Sequence, residues 1–133
     1  MKIITFLAFS FFIQSCVASE ICDNPETQYQ MNICSGNKLS DLENKLKTKV
    51  SSTSKQLKKI KGDKLFIESN NAWFKFRDLH CESLAHIYES GSIHSLIESE
   101  CKTILTKERI NNISRDYKDT LDTISEDGTS ANN

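Results

Sequence analysis

An all-α fold, a three-helix antiparallel bundle stapled by two disulfides behind an N-terminal signal peptide, is what this sequence predicts. Three observations carry the expectation. One proline and four glycines among 133 residues leave little turn chemistry for a β protein. Apolar residues recur at helical steps of three, four or seven along three stretches separated by short breaks. Four cysteines, Cys22, Cys34, Cys81 and Cys101, lie beyond an apolar leader, the usage expected in an oxidising compartment.

Met1-Lys2 gives the leader a basic start, and Ile3 to Ile13 is an apolar run too short to span a bilayer. Cleavage after Ala18 or Ser19 satisfies the small-residue rule, so residues 1–19 read as a signal peptide. Ile13-Gln14-Ser15-Cys16 offers a second reading, an imperfect lipobox in which Cys16 is lipidated and heads the mature chain. Either route exports the protein to a periplasm or beyond, and membrane contact is expected only through such an anchor. About 114 residues remain, enough for one domain. A helical domain is expected over 20–124, with a polar, disordered tail over 125–133. Seventeen basic residues face eighteen acidic ones, and losing Lys2 leaves sixteen against eighteen. That balance excludes a nucleic-acid binder resting on bulk positive charge.

Thr27 and Gln30 have capping-box spacing, so the first helix should start there. Its apolar stripe runs through Ile33, Leu39, Leu42, Leu46, Val50, Leu57 and Ile60. Lys45, Lys47, Lys49, Lys55, Lys58 and Lys59 occupy other faces and read as a solvated surface rather than a phosphate or membrane site. Gly62-Asp63 closes this helix and opens the next. The second runs from Lys64 to Glu89, with Phe66, Trp73, Phe76, Leu84 and Ile87 turned to the core. Ser90-Gly91-Ser92 is a turn, and a third helix from Ser92 carries Ile93, Ile97, Ile104, Ile113, Tyr117, Leu121 and Ile124.

This layout selects the disulfides. Short connections make successive helices antiparallel neighbours. Cys81 and Cys101 each lie ten residues from Gly91, at equal height on facing helices, where the ~4.4–6.8 Å Cα separation of a disulfide is within reach. Cys34 would sit roughly 13 Å from that level at ~1.5 Å per residue. Cys22 then pairs with Cys34, the extended segment through Pro25 folding back along the first helix. Zinc is the rival use of these thiols, but His80 and Cys81 are adjacent and no C-x-x-C occurs, so no metal is expected.

Reflection about Gly91 also levels Trp73 with Arg109, with Arg77 one turn from Trp73. Trp73 falls in the apolar stripe and reads as core. Adjacent Arg77 and Asp78 point roughly 100° apart on a helix. Arg77 is therefore expected to pair with an acid on the first or third helix, and both arginines to stack near Trp73 as framework.

The segment Ala72-Trp73-Phe74-Lys75-Phe76-Arg77-Asp78-Leu79-His80-Cys81 resembles the A-W-x-x-[YF]-R-D-x-x-C core of the lysozyme inhibitor LprI-like family. Gly91-Ser92, Cys101 and Thr106 to Arg109 resemble its G-S…C…T-x-x-R ending, and Cys22, Thr27-Gln28, Met31-Asn32 and Cys34 its C…T-Q…M-N-x-C opening. The match spans roughly Cys22 to Tyr117. Ser40-Asp41-Leu42-Glu43-Asn44 departs from the family's D-x-x-L-N-x-x-Y, keeping an Asp and an Asn without the Tyr. The resemblance implies a small exported bacterial protein, lipid-anchored in some members, that binds and blocks lysozyme or a related cell-wall muramidase. Its implied alternative is an envelope interaction or stability module with another partner.

Three scattered histidines and thiols committed to disulfides leave no nucleophile–base set, and three short helices leave little room for a ligand pocket, so neither catalysis nor a cofactor is expected. The expected binding site is the turn Tyr88-Glu89-Ser90-Gly91-Ser92, with Glu98 and Glu100 facing a basic enzyme's rim and His86 and His94 flanking it.

Overall fold

The structure is a computed structural model that describes residues 21–130. The leader, with Cys16 and both cleavage positions, and residues 131–133 of the tail lie outside the described residues. Within them the chain is helical without strands. A helical turn at 21–23 precedes α1 (Gln28–Leu57), α2 (Asp63–Ala85), α3 (His94–Asp116) and α4 (Lys118–Ser130), with 3₁₀ turns at Lys58–Ile60 and His86–Tyr88.

Thr27 caps α1 in a full capping box: Gln30 N–H donates to Thr27 Oγ1 at 3.2 Å, and Thr27 N–H donates to Gln30 Oε1 at 3.0 Å. The far end of α1 differs from expectation. Lys61, not Gly62, takes the left-handed conformation (φ 59°), while Gly62 stays at φ −90° as the N-cap of α2. An L side chain there costs roughly 1 kcal/mol that glycine avoids. Lys61→Gly should therefore stabilise the fold by about 0.5–1 kcal/mol, read as a higher urea midpoint.

Cross-helix bonds fix the directions. Asn32 reaches Ser92 and Ser35 reaches Glu100, so α1 and α3 advance together. Asn70 meets Arg109, Arg77 meets Thr106, and Cys81 joins Cys101, so α2 runs against α3. The expected third helix to Ile124 breaks at Tyr117 (φ −102°, ψ 0°), adding α4 and making the three-helix description too simple. The break lets the Tyr117 ring meet Phe66 edge-on at 5.0 Å and brings Ile124 of α4 into the core. Lys118 Nζ donates to Asp122 Oδ2 at 3.1 Å, and this hydrogen bond, with the charges of Asp122 and Asp119, raises the ammonium's pKa above its ordinary value. The helix also continues to Ser130, through residues whose polarity predicted disorder.

The apolar core lies in one half of the molecule: Leu46, Leu57, Phe66, Ile113 and Ile124, flanked by Val50, Trp73, Phe74 and Ile110. Beyond the level of Arg77, the fully buried apolar side chains among the described residues are only Cys81 and Ala85. Both disulfides sit in that thin half. They do there what apolar burial does in the other.

Candidate protein-binding surface

The face of α2 that meets its neighbours repeats every fourth residue: Trp73, Arg77, Cys81, Ala85. Arg77 is buried, and its guanidinium is fully engaged. Nη2 lies 2.8 Å from Glu43 Oε1 on α1, Nη1 donates to Thr106 Oγ1 on α3 at 3.0 Å, and Nε and Nη2 both donate to Asp78 Oδ1. The first helix thus supplies the expected acid. Asp78 departs from the expectation of separate directions: the long arginine side chain turns back to its neighbour and bridges the angle between the two Cβ vectors. Trp73 is half-buried and meets two guanidinium groups, Arg77 at 5.6 Å and Arg109 at 5.8 Å from its ring centroid. Arg109 also donates to Asn70 Oδ1 at 3.0 Å. These residues tie three helices together.

Because polar Asn70 and Arg77 occupy the buried face, several apolar residues expected in the core are outside. Phe76 is 55% exposed, Ile87 79%, and Leu84 is likewise exposed. Phe76, Leu79, His80 and Ser83 follow the helical repeat along the outer face of α2, with Phe76 stacked on His80 at 5.5 Å, and Ile87 in the following 3₁₀ turn extends the exposed stripe. This stripe leads to the turn at the thin end of the molecule.

That turn is rigidly held. Gly91 N–H donates to Tyr88 O at 2.7 Å, His94 N–H to Gly91 O at 3.2 Å, and Asn32 Nδ2 to Ser92 O at 2.9 Å. Asn32 is itself steadied by Gln28 at 2.9 Å, and the Cys22–Cys34 bridge (Cα–Cα 5.4 Å) pins the chain beside it. Cys81–Cys101 (Cα–Cα 5.5 Å) clamps the two helices that lead into the turn. Both pairs are those selected by helix geometry. The opening residues Thr27, Gln28, Asn32 and Cys34 are thus the scaffold of the turn.

Tyr88, Glu89, Ser90, Gly91 and Ser92 are exposed together on it. Glu98 and Glu100 are engaged within the fold: Glu98 pairs with Lys102 at 2.6 Å, and Glu100 accepts from Ser35 at 3.1 Å with Lys38 nearby. Asp23, Glu26 and Glu82 are also exposed at this end, with no ion pair among the described residues, where Glu89 meets only His86, at 3.4 Å. Tyr29, 74% exposed and one helical turn before Asn32, adds an aromatic the sequence reading missed. The pole therefore combines two tyrosines, an apolar stripe and acidic side chains, the composition of a protein interface that suits a basic partner. Among the described residues no cluster of His, Cys, Asp or Glu is placed to hold a metal. No described helix is long and apolar enough to cross a membrane. An open groove of about 860 Å³ does lie between α1 and α2, lined by Lys47, Val50, Lys58 and Phe74, contrary to the expectation of little pocket space.

The family model for lysozyme inhibitor LprI matches residues 22–113. The chain belongs to the LprI family. The matched span holds both disulfides, the Arg77 framework and the exposed turn, and stops before α4. No curated protein and no solved structure compared with the chain matches it. LprI membership and two disulfides together fit an exported protein.

Proposed function

We propose that this LprI-family protein is an exported bacterial inhibitor that binds a cell-wall muramidase of the lysozyme type and blocks it without chemistry of its own. The observation that carries the reading is the pole built by Tyr29, Leu84, Ile87, Tyr88 and Glu89: apolar and aromatic side chains left in water beside acids with few internal partners. Lysozymes of the c-type are basic, so such a surface steers their approach and then excludes water from the contact. Export by the leader through Ser19, with lipidation of Cys16 as its variant, belongs to the same proposal, and intact mass of the mature chain distinguishes the two.

The test is clearing of a Gram-positive wall suspension by c-type lysozyme. The oxidised protein should slow it at near-stoichiometric amounts. Tyr88→Ala should weaken inhibition about 30-fold, the effect of losing an interface anchor, and Glu89→Ala about threefold, mainly through slower association. A folded protein that leaves clearing unchanged would support the other reading, an envelope interaction or stability module with a different partner.

A further inference from the structure

The opposite end of the molecule has the reverse charge. Between residues 55 and 64 stand five lysines, Lys55, Lys58, Lys59, Lys61 and Lys64, against one acid, Asp63. All five are exposed, and none forms an ion pair or side-chain hydrogen bond among the described residues. Self-repulsion of this kind goes uncompensated within the fold. Three lysines elsewhere do pair with acids, Lys102 with Glu98, Lys118 with Asp122 and Lys38 with Glu100, so what sets this end apart is five unpaired ammonium groups within ten residues.

At the centre of the lysine cluster is Ile60, which the helical stripe assigned to the core. The 3₁₀ turn at Lys58–Ile60 and the left-handed Lys61 rotate it out of that stripe, leaving it 55% exposed between lysines. Leu65, on the first turns of α2, is 74% exposed beside the same tip. An apolar wedge ringed by free ammonium groups at the very end of a helical rod is the arrangement of a peripheral membrane contact: lysines meet anionic headgroups while the wedge enters the interfacial layer.

We infer that the tip formed by Lys55, Lys58, Lys59, Ile60, Lys61 and Lys64 docks on an anionic phospholipid surface. A solvated lysine face needs no apolar centre, and a site for a discrete phosphate needs converging donors in a cradle, whereas Lys59, Lys61 and Lys64 lie outside the groove that Lys55 and Lys58 line. The two ends then act in opposite senses at a membrane. The basic tip is drawn to it and the acidic pole is repelled, so the rod stands with Tyr88 and Glu89 facing away.

Co-sedimentation of the full chain with vesicles tests this, comparing neutral phosphatidylcholine with vesicles in which about a third of the lipid is phosphatidylglycerol. The ratio of the two partition coefficients cancels any contribution from an apolar N-terminal anchor. It should favour the anionic vesicles on the order of a hundredfold at low salt, the product for three lysines at the surface worth about fivefold each, and should collapse at high salt. Lys58→Gln, Lys59→Gln and Lys61→Gln together should remove most of the preference. Ile60→Ser should lower anionic binding about tenfold with charge unchanged. Equal partition onto both vesicles would overturn the inference. So would an anionic preference untouched by the lysine variant, or complete displacement by millimolar inorganic phosphate with Ile60→Ser behaving as wild type.

Discussion

Arg77→Ala is expected to destabilise the protein by about 3–5 kcal/mol, the cost of breaking a buried ion pair by removing one partner. The arginine side chain is 5% exposed, and it connects Glu43 of α1, Thr106 of α3 and Asp78 of its own helix while lying over Trp73 and Phe74. Its removal empties a site at the junction of three helices. The hydroxyl of Thr106 loses its donor, Phe74 loses its cation, and Trp73 keeps Arg109 alone. Glu43 and Asp78 retain some access to water, at 42% and 51% exposure, which places the expected loss toward the lower end of the range. Arg77→Lys keeps the charge but not the planar fork, and should recover about half of the loss. Glu43→Gln and Asp78→Asn should each cost about 1–2 kcal/mol, because each leaves the other acid on the guanidinium. Urea unfolding of the four variants gives these values directly. Against a total stability of ~5–15 kcal/mol, the alanine change alone brings the fold close to its limit.

Removing the Cys81–Cys101 link by paired alanine substitution is the second large effect, expected at about 3 kcal/mol from the twenty-residue loop it closes. Its position matters as much as its size. The large buried apolar side chains are on the other side of the Arg77 level, so nothing else of comparable strength holds the ends of α2 and α3 against each other near the turn. Hydrogen exchange in the alanine pair should therefore rise first in residues 82–98, while amides around Leu46, Phe66 and Ile113 keep their protection longer. Uniform loss of protection would mean that the thin half is held by contacts other than its disulfides. Opening of the Cys22–Cys34 bridge should have a smaller effect, since its loop spans twelve residues and Asn32 still grips Ser92.

Much of the architecture was legible in the chain. Capping by Thr27 and Gln30, the break near residue 61, the turn at Ser90-Gly91-Ser92 and both cysteine pairs follow from spacing alone, because each is a local rule or a consequence of helix length. The buried face of α2 was not read correctly from its apolar residues. Periodicity ranks Phe76, Leu84 and Ile87 as inward and cannot rank Asn70 and Arg77 there, since a buried arginine is stabilised by partners distant in sequence. The signal that would have found the right face is Cys81. A residue bonded to α3 must face α3, which orients Trp73, Arg77 and Ala85 inward and sends Phe76, Leu79 and Ile87 more than 90° away. The internal partners of Glu100 were not legible for a related reason: only the structure brings Ser35 and Lys38 within reach, whereas Lys102 follows Glu98 at the helical i,i+4 spacing. Tyr117 ends α3 by a backbone change with no proline or glycine to announce it.

Titration calorimetry of the oxidised protein with c-type lysozyme is the most direct test of an inhibitor that works by surface contact at its acidic pole. Saturable heat at close to equal molar amounts is predicted, with affinity falling as salt screens the acidic side chains and falling at least tenfold further in a combined Tyr88→Ala and Glu89→Ala variant. Absence of binding by protein with both disulfides formed, or binding of full strength by that double variant, would contradict the account.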